Sequence, residues 1–267
     1  MDWVVRALLT AAVTASVLFV ARGLGRKAAG MLAALPIVTA PALMWLADDR
    51  GPAFAASASV GSVVASAALA AFAWGYARLR HRGIGMASLC GTALAVAMLV
   101  PAHAASADLR WALLLALSSW AAALLGMPRR IARGRDADGH TGSLFATAAV
   151  TGLLSASTTA FGPALGSFIT GLLASMTVIS GAITVVEHAK RGPAAAADFL
   201  SGYVGGLLGK IAFGTIFAIG IAPWGALAAL VLASLAAAAT VTLASAAIAA
   251  LDASALPPLE RHMDARL

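Results

Sequence analysis

Arg50-Gly51-Pro52-Ala53 recurs as Arg191-Gly192-Pro193-Ala194, and the step from 50 to 191 sets an offset of 141 positions. At that offset Gly30-Met31-Leu32-Ala33 lies on Gly171-Leu172-Leu173-Ala174, and Ala55-Ala56 on Ala196-Ala197. Gly61, Val63 and Phe72 fall on Gly202, Val204 and Phe213. Roughly a dozen identities accumulate across about 47 positions without a gap. Alanine is common enough here to match itself by chance, but a shared four-residue turn in the same register is not explained that way. The chain is a duplicated unit, and internal duplication is a signature of membrane transport folds.

Composition sets the solvent. Apolar residues make up 61% of the chain and charged residues 11%, with a mean hydropathy of +0.92. Soluble domains carry about a quarter charged residues, so the sequence reads as a polytopic membrane protein with the lipid bilayer as its first partner. Cys90 is alone, which excludes a disulfide framework and a cysteine metal site. The net charge of +7 comes from basic residues in short loops between apolar runs, so it reads as a topology signal and not as a nucleic-acid face. Residues 1–21, with Asp2 ahead of Arg6, make a poor signal peptide and read as a retained first helix.

A helical span needs about 20 mostly apolar residues. Runs near 3–21, 28–47, 53–77, 84–103, 110–127, 144–162, 167–188, 196–219 and 224–251 qualify, which predicts nine helices. Lys and Arg collect on alternate connections: Arg22, Arg26 and Lys27; Arg78, Arg80 and Arg82; Arg129, Arg130, Arg133 and Arg135; Lys190 and Arg191; Arg261 and Arg266. The opposite loops contain only Arg50 and Arg110, beside Asp48, Asp49 and Asp108. The positive-inside rule then puts the N-terminus outside and the C-terminus in the cytoplasm of a bacterial inner membrane. Trp3, Trp45, Trp74, Trp111 and Trp224 fall near span ends, as an aromatic belt requires, and Trp120 lies deeper.

These readings combine into one expected architecture. Residues 1–105 form a first four-helix repeat, 106–141 a connecting helix with a basic cytoplasmic loop, 142–251 a second repeat and 252–267 a cytoplasmic tail. One extra crossing between the units turns the second upside down. The fold class expected is all-α, polytopic, with two inverted four-helix repeats.

The run Ala29-Gly30-Met31-Leu32-Ala33-Ala34-Leu35-Pro36, followed by Asp49-Arg50-Gly51, resembles the GlpM-like family of small bacterial inner-membrane proteins. That family's pattern is an AGL-type helix start, a proline-containing second helix and an acidic-Arg-Gly turn, and the spacing from Gly30 to Gly51 looks the same. Its members are about one repeat unit long, so the chain looks like a fused, doubled version. Ala33 stands where the family commonly has a second proline. In unit two Thr177 occupies the proline position and Lys190 the acidic one. The resemblance implies an inner-membrane location and little about activity.

Lys210 is the leading candidate for a substrate contact. It lies mid-span in Gly205-Gly206-Leu207-Leu208-Gly209-Lys210, where a charge costs about 2.5–3.5 kcal/mol unless it faces a cavity or partner. An anion or carboxylate contact is the functional reading; a lysine paired with backbone carbonyls is the plain one. Its repeat position is Leu69, so the role is not duplicated. Thr170, Thr177, Ser180 and Thr184 share one helix face. Their repeat counterparts include Pro36 and Thr39 on the second helix, where Pro36 and Pro41 weaken backbone hydrogen bonding and expose carbonyls. One kinked and one hydroxyl-lined helix are expected to face a shared site, although interhelical hydrogen bonding is the plainer use of such hydroxyls. Gly202, Gly205, Gly206 and Gly209 read as close-packing positions.

Glu187, His188, Asp198 and Arg191 flank the second turn, and Asp48, Asp49 and Arg50 flank the first; both groups are candidate gates or interfacial charge clusters. No HExxH, GxSxG or Walker A motif occurs, so neither an enzyme nor a metal or other cofactor is expected. The function expected is a small-solute transporter, and the lone Lys210 tilts the substrate toward an anionic or neutral metabolite. The competing expectation is a non-transporting membrane scaffold or accessory subunit. Homo-oligomer formation is left open.

Overall fold

The computed structural model describes residues 3–21, 26–104, 108–127, 153, 157–158, 160–176 and 179–254. All regular structure among them is helical. In chain order the helices are α1 (Trp3–Ala21), α2 (Arg26–Ala34), α3 (Thr39–Arg50), α4 (Pro52–Leu79), α5 (Ile84–Ala97), α6 (Leu99–Ala104), α7 (Leu109–Gly126), α8 (Ser167–Ser175), α9 (Ile179–Trp224) and α10 (Ala226–Ser254). Six stretches among the described residues are long and apolar enough to cross a membrane: Lys27–Arg50, Pro52–Arg82, Ile84–His103, Leu109–Gly126, Gly181–Trp224 and Ala226–Ala246. The chain is an integral, multi-pass helical membrane protein. The expected span at 144–162 lies mostly outside the described residues.

Burial separates a centre from a rim. The spans of α4 and α9 are 72% and 67% buried, against 17% for those of α5, α7 and α10. The peripheral helices turn Leu89, Val96, Leu114, Leu125, Leu227, Leu235 and Leu243 outward, where hydrocarbon is the compatible medium. Trp111 and Trp224 are exposed at helix ends, and Arg78 stacks over the Trp74 ring, 5.3 Å from its centroid. The deeper Trp120 donates through Nε1 to the Val204 carbonyl at 2.9 Å.

Local structure obeys the 141-residue offset closely. Arg26–Ala34 and Ser167–Ser175 have the same bounds once shifted. The first unit breaks its helix at 35–38, and the second breaks between Ser175 and Ile179. Gly51 (φ 88) and Gly192 (φ 86) hold the same left-handed turn, each followed by a proline that starts the next helix. L-residues avoid that region, and proline at the first helical position loses no needed donor, so Gly-Pro fixes the corner in both units. The continuous helix expected at 28–47 is thus two pieces, and so is the one expected at 167–188. The second break is a correction, because that helix was expected intact. A hydropathy average does not reveal it, since Met176, Thr177 and Val178 include neither glycine nor proline.

The close contacts between the units are reciprocal. A side chain at Gly30 would collide with the Phe199 carbonyl, and one at Gly171 with the Ala58 carbonyl. A side chain at Gly61 would collide with the Phe168 carbonyl, and one at Gly202 with that of Lys27. Adding 141 to one number and subtracting it from the other converts each contact into its counterpart. Lys27, Met31 and Leu35 approach Gly202, Gly206 and Gly209, so α2 runs parallel to the second part of α9. Phe168 and Leu172 approach Gly61, and Ser175 reaches Ser62, so α8 runs parallel to α4. Between α4 and α9 the order reverses: Ser59 bonds Gly214, while Leu69, Ala73 and Tyr76 share a core with Phe199, Leu200 and Val204.

Candidate functional site

Four elements converge where the two broken helices meet. Ser175 closes α8, Thr39 opens α3, Ser59, Ser62 and Ser66 lie along α4, and Lys210 comes from α9. All six side chains belong to buried residues. Lys210, at 5% exposure, donates through Nζ to the Ser175 carbonyl at 2.8 Å. Ser175 Oγ donates to Ser62 Oγ at 2.7 Å, and Thr39 Oγ1 lies 3.2 Å from Ser175 Oγ. Ser59 donates to the Gly214 carbonyl at 2.8 Å.

The electrostatics follow from the breaks. A helix C-terminus presents carbonyls without intrahelical partners and carries the negative end of the macrodipole. Ending α8 at Ser175 creates such an end inside the protein, and the Lys210 ammonium sits on it. Sequence reasoning placed Lys210 at a partner or cavity; the partner is this carbonyl. The glycines before it let α9 approach: Gly206 meets the Met31 backbone, and Gly209 meets Val241 and the Ala237 carbonyl.

The other sequence candidates divide into those at the junction and those away from it. Thr39 and Pro36 are at the first break, and both are buried. Thr177 and the side chain of Ser180 lie outside the described residues. Thr170 is buried but turns back on its own helix, donating to the Gly166 carbonyl at 2.7 Å. Thr184 is fully buried in α9 ahead of Gly192.

The charged candidates occupy the far ends of the broken helices. Asp49, in the last turn of α3, forms a bidentate ion pair with Arg6 of α1, one arm at 2.7 Å. The Arg6 guanidinium also lies over the Trp45 ring, 5.8 Å from its centroid. Asp48 and Arg50 are exposed beside the pair. At the corresponding end in the second unit, Glu187 and Arg191 pair at 3.0 Å across one helical turn. His188 Nδ1 lies 2.8 Å from the Tyr76 hydroxyl of α4, and the two rings meet edge-on. Asp198 is half-buried near the start of the helical stretch after Gly192. Each of the two hinged pieces is therefore tied at its far end, one by an ion pair and one by a Tyr–His hydrogen bond. They do not join the junction.

Ser59, Ser62, Ser66 and Ser175 were missed by sequence reasoning. A signal existed: 59, 62 and 66 fall on one face of a helix. No group of three or more metal-ligating side chains occurs among the described residues. Compared with protein-family models, curated proteins and solved structures, the chain matches none of them.

Proposed function

We propose that the chain is a small-solute transporter of the bacterial inner membrane, built from two inverted repeats that exchange conformations to open a central site to one side and then the other. The observation that carries this reading is the pair of helix breaks at equivalent positions, 35–38 and between Ser175 and Ile179, meeting around a buried lysine. Irregular backbone at membrane depth is tolerated only where protein or a water-filled path satisfies it, and discontinuous helices at repeat interfaces are a recurrent form of transport site. Inversion is supported by direction. Consecutive spans α2–α3 and α4 run oppositely, α2 is parallel to the second part of α9, and so α4 and its repeat counterpart are antiparallel. Loop charges, which place the first Arg-Gly-Pro-Ala turn outside and the second inside, support the same arrangement. The resemblance of the first unit to GlpM-like proteins agrees with the inner-membrane assignment. In this reading the substrate is an anionic or neutral metabolite bound at the junction.

The test is flux. Purified protein in liposomes should take up at least one small anionic or neutral solute saturably, with Lys210→Ala lowering the rate tenfold or more. Absence of anion uptake, together with a Lys210→Ala protein that carries other solutes normally, defeats the assignment of Lys210 and the substrate class. A second reading, a membrane scaffold or accessory subunit, is favoured by one observation: Lys210 already satisfies a backbone carbonyl, as a purely structural lysine would. Failure of every solute to cross, with the fold intact, leaves that reading standing.

A further inference from the structure

The hydrogen-bond inventory of the junction is unbalanced toward donors. A lysine ammonium has three N–H donors and no acceptor. Among the described residues one donor is used, on the Ser175 carbonyl. The hydroxyls form a directed chain: Ser175 donates to Ser62, so its one proton is committed and Thr39 is the donor to Ser175. The chain ends on the Ser62 proton, for which no acceptor occurs among the described residues. Ser62 and Lys210 are both bonded to Ser175, one through its hydroxyl and one through its carbonyl. Among the described residues, two N–H donors and one O–H donor around buried Ser175 are thus left without an acceptor.

Charge is unbalanced in the same direction. No carboxylate among the described side chains bonds to Lys210: Asp49 is paired with Arg6, Glu187 with Arg191, Asp108 caps α7 and Asp48 is exposed at the far end of α3. Asp198 lies twelve positions up the same helix from Lys210, about 18 Å along its axis. An ammonium withdrawn from water without a counter-ion is costly, and a buried donor without an acceptor adds to that cost.

We infer that the junction is an anion site, in which a compact monovalent anion accepts from the Lys210 ammonium and the Ser62 hydroxyl. One positive charge matches one negative charge. Thr39, Ser62 and Ser175 are at most 1% exposed, so the junction as it stands is closed to solvent, and only a ligand of few atoms is consistent with it. Lys210 already occupies the carbonyl end of α8, where a cation would otherwise coordinate, so the same arrangement disfavours metal cations. The inference gives the substrate class of the transport reading, and rests on that reading only for its physiological meaning.

The experiment measures binding and flux separately. Protein in lipid nanodiscs is melted in sodium formate, sodium chloride and sodium gluconate at constant sodium concentration. Formate or chloride should raise the melting temperature saturably and gluconate should not, because bound ligand stabilises the folded state. Lys210→Met should abolish the shift, and Ser62→Ala should weaken apparent affinity about tenfold, the weight of one hydrogen bond to a charged group. Ser118→Ala, on an exposed face of α7, should bind as the parent does. Equal shifts in all three salts, or a saturable shift surviving in Lys210→Met, overturns the inference. If Lys210→Met fails to fold, unchanged affinity in Ser62→Ala overturns it. Binding without flux in liposomes upholds the anion site and defeats transport; flux of a neutral solute with no anion binding does the reverse.

Discussion

Replacing Gly171 by alanine tests the packing that brings the two units together. A Cβ there would sit on the carbonyl oxygen, carbonyl carbon and Cα of Ala58, all backbone atoms of a buried helix. No flexible side chain can give way, and the Cβ would start 1.6 Å from the oxygen, so α8 must withdraw from α4 by about 2 Å to restore a C···O separation near 3.3–3.6 Å. Overpacking of a well-filled interior costs about 1–3 kcal/mol, and a backbone collision belongs in the upper half of that range. Gly30→Ala meets the Phe199 carbonyl and the Tyr203 amide in the reciprocal contact, so its cost should be similar. The double variant should be close to additive, because the two glycines lie in different interfaces. Gly85→Ala is the control: its added methyl meets open space, and alanine gains up to about 1 kcal/mol in helix propensity. Folded fractions in a mixed-micelle SDS titration provide the readout. If Gly171→Ala is as harmless as Gly85→Ala, the reciprocal crossing is wrong.

Three further outcomes follow from single contacts. A double-mutant cycle on Arg6→Ala and Asp49→Ala should show a coupling of about 0.5–3 kcal/mol in thermal stability, and additive losses would mean the ion pair between α1 and α3 does not form. Tyr76→Phe should destabilise by about 1–3 kcal/mol because it leaves the buried His188 nitrogen without its partner; a change within about 0.5 kcal/mol would contradict that bond. Pro36→Ala should leave the break at 35–38 in place, since the second unit breaks at the same position without a proline. Hydrogen exchange there should stay fast, and slow, helix-like protection would show that proline alone makes the break.

Some of this molecule is written in its sequence and some is not, and the division is physical. Duplication is legible because the Gly51-Pro52 and Gly192-Pro193 corners need a residue free to adopt positive φ followed by one that starts a helix. Membrane insertion is legible because it depends on average apolarity. The break after Ser175 is not, because Met176, Thr177 and Val178 include neither glycine nor proline. For the same reason a hydropathy run at 167–188 looked like one span. Lys210 stood out as a mid-span charge, whereas its partner is a backbone carbonyl exposed only because α8 stops there. Arg6 and Asp49 were each visible, one as a residue of the first helix and the other as a turn residue. Their pairing depends on how α1 lies against α3. Ser59, Ser62 and Ser66 had helical spacing but were hidden in a helix rich in alanine and serine, where such spacing carries little weight.

Inverted repeats require the two Arg-Gly-Pro-Ala turns to face opposite sides of the membrane. In a Cys90→Ser background, single cysteines at Asp48 and Lys190, both exposed, are challenged in intact cells with a membrane-impermeant maleimide. Asp48→Cys should label from outside, and Lys190→Cys only after the membrane is opened. Labelling of both positions from the same side would contradict inversion, and with it the case for alternating access.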